Sequence, residues 1–297
     1  MAHRWGRLIA AVGAAALLVG CATPGSSTSL TTSAATPAAP PTAAGTVVPA
    51  LPDCASGALP TVTSGTLTIA AEIPGASPWY LGQSPESGQG LDSSVAYALA
   101  ETLGYGPERV AWVDVDRAQA AAGVAGGFDL ALDQFTAPDR GTPTADYSTG
   151  YFSVTDALVM RQGGAAAPTS VAGVAALRLG AVSQTPAFAT ATRVTGSDPV
   201  AFGDQQQALA GLAAGAVDGM VLSIPSALAA AQADPGLRVI GQLPSDPMEQ
   251  PTQFKVLLKK GSALTGCVSA AVDRMRVEGT LEKLAQTWVD PEAPVLR

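Results

Sequence analysis

From residue 64 to the C-terminus, short apolar runs alternate with stretches in which apolar residues recur every third or fourth position. The first pattern predicts strand and the second helix, because a strand repeats its face every second residue and a helix about every 3.6. Residues 67–70, after Gly65, read as a strand. A helix is expected over 92–103, with Val95, Leu99 and Leu103 on one face and Gly104 as its stop. Strands are expected at 110–113, 129–133 and 157–160, with a short helix at 118–124. The pattern then restarts with a strand at 179–182, helices at 185–194 and 205–214, and a strand at 218–222. A helix at 225–233 and strands at 238–241 and 254–258 follow, and helices at 263–277 and 281–289 close the chain. Strand–helix alternation repeated twice predicts an α/β architecture with parallel sheets, which bind ligands at the carboxyl ends of their strands.

The N-terminal region lacks this alternation. Arg4 and Arg7 precede an apolar run from Leu8 to Gly20. That run is shorter than the roughly 20 residues of a bilayer-spanning helix. A basic start, a short apolar run and small residues before a cleavage point make residues 1–20 a secretory signal. The ending Leu18-Val19-Gly20-Cys21 resembles the lipobox of bacterial lipoproteins, which implies Cys21 as the lipidated first residue of the mature chain. An ordinary secretory signal with an incidental cysteine is the alternative. Residues 21–58 are expected to be a lipid-anchored linker. Positions 22–50 are almost entirely Ala, Thr, Ser, Pro, Gly and Val, uncharged and without aromatics. Such a segment buries too little apolar area to offset its ordering entropy, and its prolines favour extended conformations.

Composition narrows the function classes. The chain has 24 acidic against 16 basic residues, a net of -8, and loss of Arg4 and Arg7 with the signal leaves 14 basic residues and a net of -10. That balance argues against a nucleic-acid partner, since phosphate binding needs a basic surface. The single histidine, His3, lies in the signal, so histidine-dependent triads and multi-histidine metal sites are excluded. No metal or cofactor is expected. Apolar residues at 47% and charged ones at 13% exclude a wholly disordered chain. Outside the cytoplasm the two remaining cysteines, Cys54 and Cys267, are expected to pair, with two unpaired buried thiols as the alternative.

Seven segments carry a resemblance to a known family. Gly65-Thr66-Leu67-Thr68-Ile69-Ala70 is similar to its opening strand, and Ser77-Pro78-Trp79-Tyr80 to its proline followed by aromatics. Gly90-Leu91-Asp92 leading to Val95-Ala96 resembles a Gly-Phe-Asp-x-Asp-Leu-Ala helix start. Gly127-Phe128-Asp129-Leu130 precedes Thr136-Ala137-Pro138-Asp139-Arg140, which resembles Thr-x-Thr-x-x-Arg with one residue missing. Asp146-Tyr147-Ser148 with Tyr151, then Gly215-Ala216-Val217-Asp218, and finally the stretch from Asp273 to Trp288 complete the series. In this order the segments resemble the bacterial solute-binding proteins of family 3, the polar amino-acid class, which are receptor components of ABC importers.

The resemblance implies a two-lobed, type II periplasmic-binding-protein-like α/β fold, each lobe a central sheet flanked by helices, joined by a two-stranded hinge. Lobe 1 would comprise 59–157 plus 255–297, and lobe 2 residues 158–254. This layout puts Cys54 and Cys267 in or beside one lobe. It implies a monomer that binds a small polar, carboxylate-bearing solute between the lobes and partners an ABC permease, held at the extracytoplasmic face of the cell membrane by its lipid anchor. Arg140 stands at the family's carboxylate-binding position, where a guanidinium forks onto both oxygens; the bland alternative pairs it with Asp139 or Asp146. Thr136 is placed at the same carboxylate. Thr185, in Ser183-Gln184-Thr185, stands at a helix start that offers backbone N–H groups or a simple N-cap. Trp79 or Tyr80 would stack on the ligand, with core packing as the alternative. Ser223 replaces the family's ammonium-binding aspartate, so Asp133, Glu72 or Asp156 is expected to substitute from the opposite lobe, or else the ligand lacks that amine. Two other readings stay open: a sensor or scaffold lipoprotein with a degenerate cleft, and an enzyme resembling cyclohexadienyl dehydratases. The enzyme reading is disfavoured because Asp198, Asp204, Asp218, Asp234, Asp246 and Glu249 read mostly as turns or strand ends.

Overall fold

The computed structural model describes Cys54 and residues 59–82, 84–138 and 142–297. The expected signal (1–20), Cys21, the linker apart from Cys54, and Arg140 lie outside the described residues. The order of elements is β1 (Leu67–Ala71), α1 (Leu91–Thr102), β2 (Val110–Asp114), α2 (Arg117–Ala121), β3 (Leu130–Ala131) and β4 (Ala145–Ser153). Then come β5 (Asp156–Arg161), α3 (Val171–Ala175), β6 (Leu179–Val182), α4 (Pro186–Thr195), β7 (Val200–Phe202) and α5 (Gln205–Ala213). The chain finishes with β8 (Gly219–Ser223), α6 (Ile224–Ala233), β9 (Leu237–Gln242), β10 (Gln253–Lys259), α7 (Thr265–Val277) and α8 (Thr280–Trp288).

These strands form two sheets, ordered β2-β1-β3-β10-β4 and β7-β6-β8-β5-β9. Both are mixed rather than parallel. β1 runs parallel to β2 and β3, but β10 is antiparallel to β3 and β4. In the second sheet β6 is parallel to β7 and β8, while β5 is antiparallel to β8 and β9. The reversal arises because β5 and β10 each follow a crossing between the lobes and meet their new sheet in the opposite direction.

Each sheet is covered on both faces, as its strand patterns require. On β1, Leu67, Ile69 and Ala71 enter the main first-lobe core while Ala70 faces a second cluster with Phe128 and Phe135. On β5, Ala157 and Val159 pack with Leu212 and Met220, and the alternate Leu158 and Met160 pack with Leu179 and Val221. The start of α1 explains the Gly90-Leu91-Asp92 motif. Leu91 N–H donates to Pro78 O at 2.9 Å and Asp92 N–H to Trp79 O at 3.0 Å, which satisfies two donors of the first turn. Gly90 adopts φ 98°, and a Cβ there would lie 2.3 Å from Trp79 O, so only glycine fits.

The chain passes between sheets at 154–155 and 243–252. β5 starts at Asp156 and β10 at Gln253, so the strands of each lobe begin two residues before the positions expected from the resemblance. The C-terminal tail also departs from the expected lobe 1 assignment. Pro294 O accepts from Gln242 N–H at 2.8 Å, Leu296 N–H donates to Gln242 O at 2.9 Å, and Leu296 is buried in the second-lobe core. Apolar burial of Leu296 draws the tail to the other lobe. Cys54 and Cys267 form a disulfide with Cα atoms 5.4 Å apart, fastening the start of the first lobe to α7.

Candidate functional site

A cavity of about 770 Å³ lies between the lobes. The first lobe contributes Arg117, Gln134, Thr136 and Phe254 to its wall. Val154, Thr155 and the return segment from Leu243 to Thr252 line the crossing side, and Asp156, Thr185, Thr190, Ser223 and Ser226 line the second-lobe side. The two crossings thus line an interlobe cavity that mixes apolar and polar side chains, as ligand pockets between lobes commonly do.

The first-lobe wall is fixed by a buried carboxylate network. Asp92 is fully buried and accepts from Tyr151 Oη at 2.8 Å and from Gln134 N–H at 3.1 Å. The Gln134 side-chain amide donates to Asp133 Oδ1 at 3.2 Å. Gln134 sits at φ 50°, a left-handed conformation that costs a non-glycine residue energy, and these bonds hold it there at the cavity edge. Burial pushes the Asp92 carboxyl up to about 7, opposed by the bond from Tyr151. Burial likewise pushes Asp133 up to about 6, opposed by the charge of Arg117. Arg117 Nε donates to Asp133 O at 2.8 Å and Nη2 to Gln134 O at 3.1 Å, so its guanidinium stands at the wall already oriented.

The sequence-predicted residues separate into three groups. Thr136, Thr185 and Ser223 all line the cavity. Thr185 caps α4: its hydroxyl accepts from Phe188 N–H at 3.3 Å and donates to Val182 O at 2.7 Å. Both hydroxyl roles are thus occupied, and Pro186 at the next position has no N–H to offer. Trp79, Tyr80, Glu72 and Asp133 are not on the cavity wall. Trp79 and Tyr80 are both in the core: Trp79 packs edge-on against Phe254 at 5.3 Å, and Tyr80 Oη donates to Leu132 O at 2.6 Å. The aromatic facing the cavity is Phe254, which the apolar run at 254–258 marks only as strand core. Glu72 is exposed and accepts from Arg117 N–H at 3.1 Å. Asp133 is buried behind Gln134. Arg140 belongs to the third group, outside the described residues.

Asp156 stands in the second sheet, on the same side as Ser223, not across the cleft from it. Of the acids read as turns, Asp204 caps α5, Asp218 accepts from Arg178 N–H and Asp234 from Gly236 N–H. Asp246 and Glu249, by contrast, reach the cavity. Arg117 and Gln134 escaped sequence reading because their neighbours there come from β3 and α1, distant in the chain. Among the described residues no group of three or more His, Cys, Asp or Glu could hold a metal ion.

The model of the bacterial extracellular solute-binding proteins, family 3, matches residues 67–291. Among solved structures, the L-cystine solute receptor of Neisseria gonorrhoeae in its unliganded open conformation is 22% identical, with a TM-score of 0.52 over 77% of this chain and 95% of that one. An ancestral cyclohexadienyl dehydratase is 21% identical, with a TM-score of 0.50 over 75% of this chain and 92% of that one. An ancestral arginine-binding protein bound to arginine is 24% identical, with a TM-score of 0.44 over 75% and 98% of the two chains. At these identities the likenesses concern fold. A search of curated proteins finds no match.

Proposed function

Because the chain belongs to the bacterial extracellular solute-binding proteins, family 3, we propose that it is a lipid-anchored extracytoplasmic receptor of an ABC importer. In this reading it takes a small polar, carboxylate-bearing solute, an amino acid or a relative, into the interlobe cavity and delivers it to a membrane permease. The observation that carries the reading is the cavity itself: about 770 Å³, between lobes joined at 154–155 and 243–252, with Arg117, Gln134, Asp156 and several serines and threonines set among apolar side chains such as Phe254, Val221 and Leu222. That volume suits a metabolite-sized ligand. Arg117 supports a carboxylate at the first-lobe wall, since its guanidinium is oriented by two backbone carbonyls and lines the cavity. The Leu-Val-Gly-Cys ending before Cys21 supports the anchor.

A thermal-shift screen of the mature chain against amino acids, keto acids and small amines tests this function. A solute at about 100 times its dissociation constant adds about 2.7 kcal/mol of stability. A stabilising solute recovered chemically unchanged is the expected result. Turnover of the solute would instead favour the dehydratase-like reading, and a flat screen the degenerate scaffold. Cys21→Ser is expected to release the protein from the membrane fraction, and a variant that stays bound through a carbonate wash would contradict the anchor.

A further inference from the structure

At the second-lobe wall, the family's ammonium-binding position carries Ser223, which has no charge. β5 and β8 are antiparallel, and the residue directly opposite Ser223 in their register is Asp156. Opposed residues in an antiparallel pair project to one face with Cβ atoms about 4.5–5.5 Å apart. Both residues line the cavity. The fold therefore brings a carboxylate to within one strand spacing of the place where the charge is missing.

Asp156 is also arranged to receive a cation. Thr190 Oγ1, on α4, donates to its Oδ2 at 2.7 Å and fixes the carboxylate, while among the described residues Oδ1 accepts no hydrogen bond. Burial raises its pKa; the Thr190 bond and then the Arg193 charge oppose the rise, and the charge of Glu249 adds to it. A half-buried carboxylate beside another acid gains from a bound cation. Arg193, the nearby base, is exposed and donates to Pro244 O. Asp246 and Glu249 add negative charge on the crossing side, whereas Arg117, on the opposite wall, is the one guanidinium lining the cavity among the described residues. The charged side chains on the wall are thus Arg117 at the first lobe, Asp156 at the second, and Asp246 and Glu249 on the crossing side.

We propose that Asp156 is the specificity-determining residue of this cleft, binding the ligand's ammonium group from β5 in place of the end of β8, and that the solute is a zwitterion carrying a primary amine. The proposal rests on the receptor reading above. Calorimetric titration of the mature chain with each proteinogenic L-amino acid and its 2-hydroxy acid counterpart, which differs only in the amine, separates the two. Wild type is expected to bind an amino acid at least about 30-fold more tightly than its hydroxy acid, as loss of one partner of a desolvated charge pair implies. Asp156→Asn is expected to lose that preference while keeping the hydroxy acid's affinity, and adding Ser223→Asp to it should restore at least about tenfold of the preference. Wild type that binds an amino acid and its hydroxy acid equally overturns the proposal with no variant needed. So does Asp156→Asn with unchanged affinity and preference. Binding of none of these probes by wild type overturns the proposal; a solute found only among the keto acids or small amines of the screen above leaves the receptor reading standing, whereas a flat screen overturns both.

Discussion

Asp92 shows how a residue in a family-like motif serves the site without touching the cavity. Its carboxylate anchors Tyr151 and the backbone of Gln134, and Gln134 forms the wall. Burial raises its pKa from 3.8 to about 7, so between these values the folded chain binds more protons than the unfolded one. Stability therefore falls as pH rises through this window and levels off above it. Asp133, raised to about 6, acts in the same direction. Relative to Asp92→Asn, wild type is expected to lose stability between about pH 4 and about pH 7, by at most about 4 kcal/mol. Thermal unfolding of both chains across that range checks this, and parallel pH profiles would contradict it. The same scale separates the two aromatic candidates from the true wall: Trp79 and Tyr80 are consumed by packing, and Phe254 stands between Trp79 and the cavity.

Among the elements, the C-terminal tail is the one whose role extends beyond its own lobe. Residues 294–297 follow α8 of the first lobe yet pair with Gln242 at the end of β9. Gln242 also receives Thr155 Oγ1 at 2.7 Å and donates to Ala293 O at 2.7 Å, so one side chain joins the first crossing to the tail. Gly241 makes the close approach possible, because a Cβ there would lie 2.4 Å from Pro294 O and 2.9 Å from Leu296 Cγ. The carbonyl cannot swing away as a side chain would. Gly241→Ala is expected to displace the tail and destabilise the chain by about 1–3 kcal/mol, in line with overpacking elsewhere. Urea unfolding measures the loss, and limited proteolysis should release the C-terminal residues earlier than in wild type.

For the whole molecule, the disulfide matters most through the unfolded state. Cys54 and Cys267 are 213 residues apart, so their bond removes much of the freedom of the denatured chain. Chain-entropy arguments put the gain at roughly 5 kcal/mol for a loop this long, and native bonds typically contribute about 2–5 kcal/mol. Cys54→Ser with Cys267→Ser is expected to lower the urea midpoint accordingly. Reduction of wild type should produce the same shift, and quantitative alkylation of both cysteines under denaturing, non-reducing conditions would contradict the bond.

Local patterning in the sequence determined most elements. α1, α5, α7 and α8 fall close to their expected spans, because an apolar face at helical spacing and a stop, a glycine after the first three and Pro291 after α8, are written in adjacent residues. It also determined the two-part alternation and hence the α/β class. β4 has no such signature: its nine residues include Gly150, two serines and a threonine, and it is a strand because β10 pairs with it. β3 is only Leu130–Ala131, the two residues that pair with both β1 and β10, whereas Asp129, expected inside the strand, sits at its edge with its carboxylate accepting from Val62 and Thr68 N–H at 2.7 and 2.8 Å. Strand direction and register were decided only in three dimensions, since both depend on hydrogen bonds between segments far apart in the chain. Periodicity reports which face a residue occupies, not which residue it opposes. For that reason Ser223 was visible in the sequence as a missing charge, while Asp156 became its neighbour only when β5 paired with β8.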